Sequence, residues 1–296
     1  MNSFIPTNSN PIYWREKQRL ANSRSIRRVF RAVYIIYGII FALIGLLTLV
    51  QSRSVLRGFY WVDFIDILFF ATVVTVAIGQ WLTLIFFVPP LIAGTISEER
   101  KNETFELLFL TPLTSRQIIF GKARASLPFA LKIVFFIALA VLVLIPFVGF
   151  TGSLNLAELG EMLIIMATAQ ALVLIMTVFV VMLTLYISTF FKQTAVVVAT
   201  AYGAIFAHFI TSIMLLAFSG GGDLSLIIHP ILALGIILDS YHGAEIFTTT
   251  ILCVTLYAGI SYGLVSLTIN RVQEIAGRPK ITHNKKKPKK QHLEID

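Results

Sequence analysis

The residue types able to do chemistry in this 296-residue chain are few, and they stand far apart. Glu98-Glu99 and His208 could hold zinc or exchange protons, and Gly121-Lys122 is the dipeptide that closes a phosphate-binding loop. Catalytic zinc takes about three converging protein ligands. No His-Glu-x-x-His pair occurs, His229 and His242 belong to another part of the chain, and His208 sits in the middle of a long apolar stretch. A phosphate loop reads Gly-x-x-x-x-Gly-Lys-[Ser/Thr]. Here Ala123 follows Lys122, and Arg116 stands where the first glycine belongs. An intramembrane hydrolase is therefore a poor reading, no metal or cofactor is expected on the chain, and it cannot hydrolyse ATP by itself. The single Cys253 excludes an internal disulfide framework.

The elements that must carry these residues follow from composition. Hydrophobic residues make up 57% of the chain and charged ones 13%, against roughly 45–50% and about 25% in soluble domains. With a mean hydropathy of +0.84, the chain is read as an integral membrane protein. A span needs about 20 apolar residues. The candidates are Ala32–Val50, Phe64–Thr95, Leu127–Phe150, Met162–Phe191, Ala195–Phe218 and Ile246–Ile269. The polar lead before the first argues against a cleaved signal peptide. A seventh stretch, Leu224–Leu238, is shorter and centred on His229-Pro230.

The net charge of +9 becomes informative once each basic residue is placed. Lys and Arg accumulate on the cytoplasmic side of a membrane. Six spans put 21 of the 24 basic residues inside and only Arg53 and Arg57 outside, with Lys132 within the third span. A seventh crossing would carry the eight basic residues after Ile269 outside. The expected fold is thus all-α and polytopic, with six transmembrane helices and both termini cytoplasmic. Leu224–Leu238 becomes a re-entrant or interfacial element on the outer face before span 6. The run Lys285-Lys286-Lys287-Pro288-Lys289-Lys290 reads as a topology determinant with some attraction for anionic lipid, and not as a nucleic-acid site.

The informative loop joins spans 2 and 3. As straight helix, Phe64–Thr95 would be about 48 Å long against a core of about 30 Å. It must tilt, break at Pro89-Pro90 or project into the cytoplasm, and the prolines favour a bend. Glu98–Leu110 reads as a short helix, with Phe105, Leu108 and Phe109 forming an apolar edge. Thr95 with Glu98 fits a capping box and a fresh helix start, although continuation from span 2 fits equally. Pro112 interrupts the helix, and Thr114 with Gln117 forms a second capping box leading through Gly121-Lys122 into span 3. Such a corner can carry a push from a soluble partner into the membrane helices.

Here the residues resemble a known family. Ala93-Gly94-Thr95-Ile96-Ser97-Glu98-Glu99-Arg100, Glu103-Thr104-Phe105-Glu106-Leu107-Leu108, Leu110-Thr111-Pro112-Leu113-Thr114, Ile118 and Gly121-Lys122 resemble the type-2 family of ABC transporter permeases. Asn10-Pro11…Arg15-Glu16, and Ser188 with Lys192, Thr194 and Tyr202, are similar to two weaker motifs of a bacterial branch. Glu103 departs from the frequent glycine and Thr114 from the usual serine. The resemblance implies a permease subunit of an ATP-driven exporter in the bacterial cytoplasmic membrane. It implies a homo- or heterodimer of permeases served by cytoplasmic ABC ATPase subunits, which bind ATP and Mg. The coupling residues it implies are Glu98, Glu99, Arg100, Glu103, Thr104, Phe105, Glu106, Leu108, Phe109, Thr111, Pro112, Gly121 and Lys122. It also implies an interfacial elbow before span 1, although the apolar residues of Pro11–Arg31 form no clean stripe.

The expected organisation is a cytoplasmic segment 1–31, a six-span domain 32–269 and a basic tail 270–296. The domain includes the coupling loop 96–126 and the outer loop 219–245. Gln80, Gln170, Thr177 and His208 are intramembrane polar residues that could line a substrate path, and interhelical hydrogen bonding explains them equally well. A non-transporting scaffold of an envelope complex is the alternative reading.

Overall fold

The structure, a computed structural model, describes residues 10–53, 61–149, 156–218 and 243–277. Every element among them is helical. Four helices contain segments long and apolar enough to cross a membrane: Gly79–Lys101, Leu163–Ser188, Thr194–Met214 and Phe247–Ile275. These mark the chain as a membrane protein. The outer element expected at Leu224–Leu238 and the tail from Arg278 lie outside the described residues.

Helix α1 spans Pro11–Asn22 and starts where the sequence specifies it. The Asn10 side chain caps it by accepting the Ile12 amide at 3.0 Å, and Pro11 takes the first turn, where no backbone donor is needed. Ile12, Glu16 and Leu20 form its buried face, one residue every turn. Ser23 is extended, and α2 (Arg24–Arg53) follows at once. The inner face of α2 is Ile26, Val33 and Tyr37.

Helix α3 runs unbroken from Trp61 to Lys101 with Pro89 and Pro90 inside it. Pro90 has no amide to offer the Phe86 carbonyl one turn back. The Tyr202 hydroxyl donates to that carbonyl instead, at 2.7 Å, so a neighbouring helix repairs the bond the proline removes. The sequence left two readings for Thr95, and continuation is the one observed. Thr95 is fully buried inside α3, and its hydroxyl donates to the Ile92 carbonyl at 2.7 Å rather than capping a new helix.

The expected helix Glu98–Leu110 is corrected, because it is not one element. Glu98–Lys101 is the last turn of α3, and a turn at Asn102-Glu103 separates it from α4, only Thr104–Leu107, and a 3-10 turn at Leu108–Leu110. Glu103 adopts φ 58°, the left-handed conformation that ends a helix and favours glycine. Helix α5 (Ser115–Gly149) begins with the expected capping box. The Gln117 amide donates to Thr114 Oγ1 at 3.2 Å, and the Thr114 amide to Gln117 Oε1 at 2.9 Å.

Helices α6 (Leu156–Ser188), α7 (Thr194–Phe218) and α8 (Gly243–Ile275) complete the bundle. Helix α6 is the hub, packed against α3, α5, α7 and α8. Its buried residues Leu172, Val173, Met176, Val180, Val181 and Leu185 meet Trp81, Leu84, Val88 and Ile92 of α3. Helix α8 continues past Ile269, so the first residues assigned to the tail belong to this helix.

Candidate functional site

The site assembles around the last two turns of α3. Lys122 on α5 is fully buried, and its ammonium group has three donors. It donates to Glu16 Oε1 at 3.0 Å and to the Thr95 carbonyl at 2.7 Å, and it forms an ion pair with Glu99 Oε2 at 2.8 Å. Glu16, also buried, takes Arg19 Nε on its other oxygen at 2.9 Å. Arg19 reaches on to Glu98 Oε2 at 2.7 Å and to the Gly94 carbonyl at 3.2 Å, while Arg15 pairs with Glu99. Three acids and three bases from α1, α3 and α5 thereby close one network. An uncompensated charge in this position would cost several kcal/mol. Here each buried charge has a partner of opposite sign, and the network bolts α1 across the ends of two long helices.

Two glycines make the fit possible. A Cβ on Gly121 would stand 3.0 Å from Asn10 Nδ2, which donates to the Gln117 carbonyl at 3.0 Å. A Cβ on Gly94 would stand 2.7 Å from Glu98 Oε1 and push that carboxylate off Arg19.

The turn between α6 and α7 joins the same end of α3. Ser97 Oγ and Thr194 Oγ1 are 3.0 Å apart, and Arg100 donates to the Thr189 carbonyl. Ser188 is buried, with its hydroxyl on the Leu185 carbonyl at 2.6 Å. Arg271 of α8 lies over the Phe190 ring, 5.1 Å from its centre. Residues quoted from separate motifs thus meet within one cluster: Asn10 and Glu16, Gly94 to Arg100, Gly121-Lys122, and Thr194.

The corner between α3 and α5 divides its residues by exposure. Phe105 is 1% exposed and Leu108 7%, with Phe105 packed edge-on to Phe109 at 5.2 Å between ring centres. The apolar edge read from the sequence is therefore turned into the chain and used by its own core. Glu98, Glu99 and Arg100 are likewise engaged within the chain. Leu107, at 58% exposure, and Leu110, at 83%, face outward with Glu103, Thr104, Glu106 and Pro112. Thr111 closes the 3-10 turn by donating to the Leu108 carbonyl at 2.5 Å.

Of the four intramembrane polar residues, Gln80 and Gln170 meet each other, while Thr177 and His208 bond elsewhere. Gln80 and Gln170 exchange two hydrogen bonds, at 2.9 and 3.2 Å, and Gln80 also donates to the Val134 carbonyl at 3.2 Å. That ties α3, α5 and α6 together. Thr177 donates to its own helix at Val173, 2.8 Å away. His208 Nε2 lies 2.5 Å from Tyr257 Oη, beside Phe179, so α7, α8 and α6 meet there. Among the described residues, no three His, Cys, Asp or Glu side chains come together as a metal site.

Sequence reasoning missed the inward face of α1, because Glu16 interrupts the apolar spacing between Ile12 and Leu20. The signal was present as a lone acid in a strongly basic segment, which calls for a buried base opposite it. No family model matches the sequence, and no curated protein matches it.

Proposed function

We propose that the chain is the membrane subunit of an ATP-driven exporter, of the type-2 permease kind that its motifs resemble. One observation supports this above the others. The resembling residues, spread from Asn10 to Thr194, gather at one end of the bundle around a buried ionic network, beside an exposed corner at Thr104–Leu110. A network of this kind gives little net stability compared with apolar packing, so what it adds at this end is stiffness. A stiff corner between two long helices suits a part on which another protein pushes.

In this reading six spans cross the bacterial cytoplasmic membrane, both termini are cytoplasmic and the outer loop re-enters the membrane before the last span. Two permease copies, identical or related, carry two cytoplasmic ATPase subunits that bind ATP and Mg. ATP closes the ATPase pair and displaces the Thr104–Leu110 corner. The displacement passes into α3 and α5 together, because Lys122 and Glu99 join them, and the central cavity changes the side to which it opens. Leu107, Leu110 and Glu106 make the partner contact, and the buried Phe105 and Leu108 keep the corner rigid beneath it.

The test is co-purification of the ATPase subunit with the full chain in detergent. The Leu107→Glu/Leu110→Glu variant loses the ATPase and its stimulation, while its own melting temperature stays within about a degree of the parent. Retention of a fully stimulated ATPase by this variant would overturn the coupling role.

A further inference from the structure

The outer surface of α2 carries a stripe whose chemistry changes abruptly along its length. Arg24, Arg28 and Arg31 are exposed and follow one another at helical spacing, and Ile35, Ile39 and Leu46 continue the same line. The apolar members are all more than half exposed, at 59, 55 and 57%. The opposite face, Ile26, Val33 and Tyr37, is the one turned into the bundle. Among the described residues the apolar half lies open along its length. Among the described residues no ion pair involves Arg24, Arg28 or Arg31, and the sequence has no acidic residue between Glu16 and Asp63.

The dimensions suit one ligand. From Arg24 to Arg31 is about 10 Å, enough to cross the roughly 5–8 Å of one headgroup region, and from Ile35 to Leu46 is about 16 Å, half of a 30 Å hydrocarbon core. On α1, the helix that precedes α2, Trp14 is 46% exposed with the Lys17 ammonium 5.0 Å from its ring centre, the aromatic and basic pairing typical of a membrane interface. We infer that this stripe is a binding track for an anionic phospholipid of the cytoplasmic leaflet, its phosphate held by Arg24, Arg28 and Arg31 and an acyl chain laid along Ile35, Ile39 and Leu46. The inference rests on α2 being the first span, as proposed above, and not on the ATP-driven role.

The experiment uses the full chain purified in detergent, with phosphatidylglycerol and phosphatidylcholine titrated separately and bound lipid counted by native mass spectrometry. Each arginine near an anionic headgroup is worth roughly a fivefold preference, so phosphatidylglycerol binds at least about tenfold tighter. In Arg24→Gln/Arg28→Gln/Arg31→Gln the preference falls to about twofold or less. Each single Gln variant lowers it severalfold, which keeps the test available if the triple variant does not fold. Replacing all five lysines of 285–290 by Gln leaves the preference in place. Equal binding of both lipids by the parent, or a preference abolished by the tail variant and kept by the arginine variants, overturns the site. Labelling of Ser54→Cys by an impermeant maleimide from the outer side separates the two levels. Labelling without a lipid preference removes only the track, and labelling from the cytoplasmic side alone removes the span beneath it.

Discussion

At Lys122 an ordinary membrane-interface dipeptide turns out to be the centre of a charge network. The sequence offers Gly121-Lys122 only as the lead into span 3, and at Gly121 the structure adds a close neighbour, since a Cβ there would stand 3.0 Å from Asn10 Nδ2. The lysine is different: it points inward to acids that stand 106 and 23 residues away in the chain, Glu16 and Glu99. Local spacing carries no trace of such a pairing. Replacing Lys122 by Met strands Glu16 and Glu99 with only the more exposed Arg15 and Arg19 to balance them. Loss of one partner from a buried pair costs about 3 kcal/mol. Lys122→Met should accordingly lower the thermal midpoint in detergent by several degrees, and adding Glu16→Gln should restore part of the loss, since the second change removes the stranded charge. An unchanged midpoint in the single variant would mean that the network contributes nothing.

Among the elements, those with a local signature were legible and those made by distant contacts were not. The Thr114–Gln117 box sets the start of α5 because both of its bonds are local. Helix α1 was expected only through the resemblance: Asn10 and Pro11 suit a helix start, but its buried face includes a glutamate that no apolar pattern admits. The end of α3 was left open between two readings. Glu98–Leu110 has helical spacing, yet Asn102-Glu103 breaks it, since Glu103 takes the left-handed conformation. That conformation costs an L-residue roughly 1–2 kcal/mol, and Glu103 is exposed. Glu103→Gly should therefore stabilise the chain by about 1 kcal/mol, read as a higher thermal midpoint with unchanged helical circular dichroism. A lower midpoint would show that the glutamate side chain contributes more than its backbone costs.

At the scale of the whole molecule, hydropathy located the long helices among the described residues, since each of the six apolar stretches lies largely within one. The order of packing was not legible. Nothing in the sequence distinguishes α6, buried on several sides, from α7 and α8, which keep broad apolar faces such as Phe206, Met214 and Ile251 exposed. The distribution of basic residues makes a separate claim about sidedness. A fluorescent protein that folds only in the cytoplasm should fluoresce when fused after Ile275, and a phosphatase active only outside should be active when inserted at Gly221. Activity reversed at either position would rule out six crossings with a cytoplasmic tail.

The Tyr202 hydroxyl on the Phe86 carbonyl divides α3 mechanically. Below Pro90, every residue from Leu91 to Ser97 is buried, and the segment is fastened to α1, α5 and the α6–α7 turn. Above the prolines, among the described residues, the Gln80–Gln170 pair fastens α3 to α6 and Thr83 bonds Tyr37 of α2. The two prolines leave α3 short of backbone bonds at the junction, and the substitute bond comes from α7. Helix α3 is thus held as two lengths, one clamped in a block at the charged end and one seated on the hub, with Tyr202 fastening the joint between them.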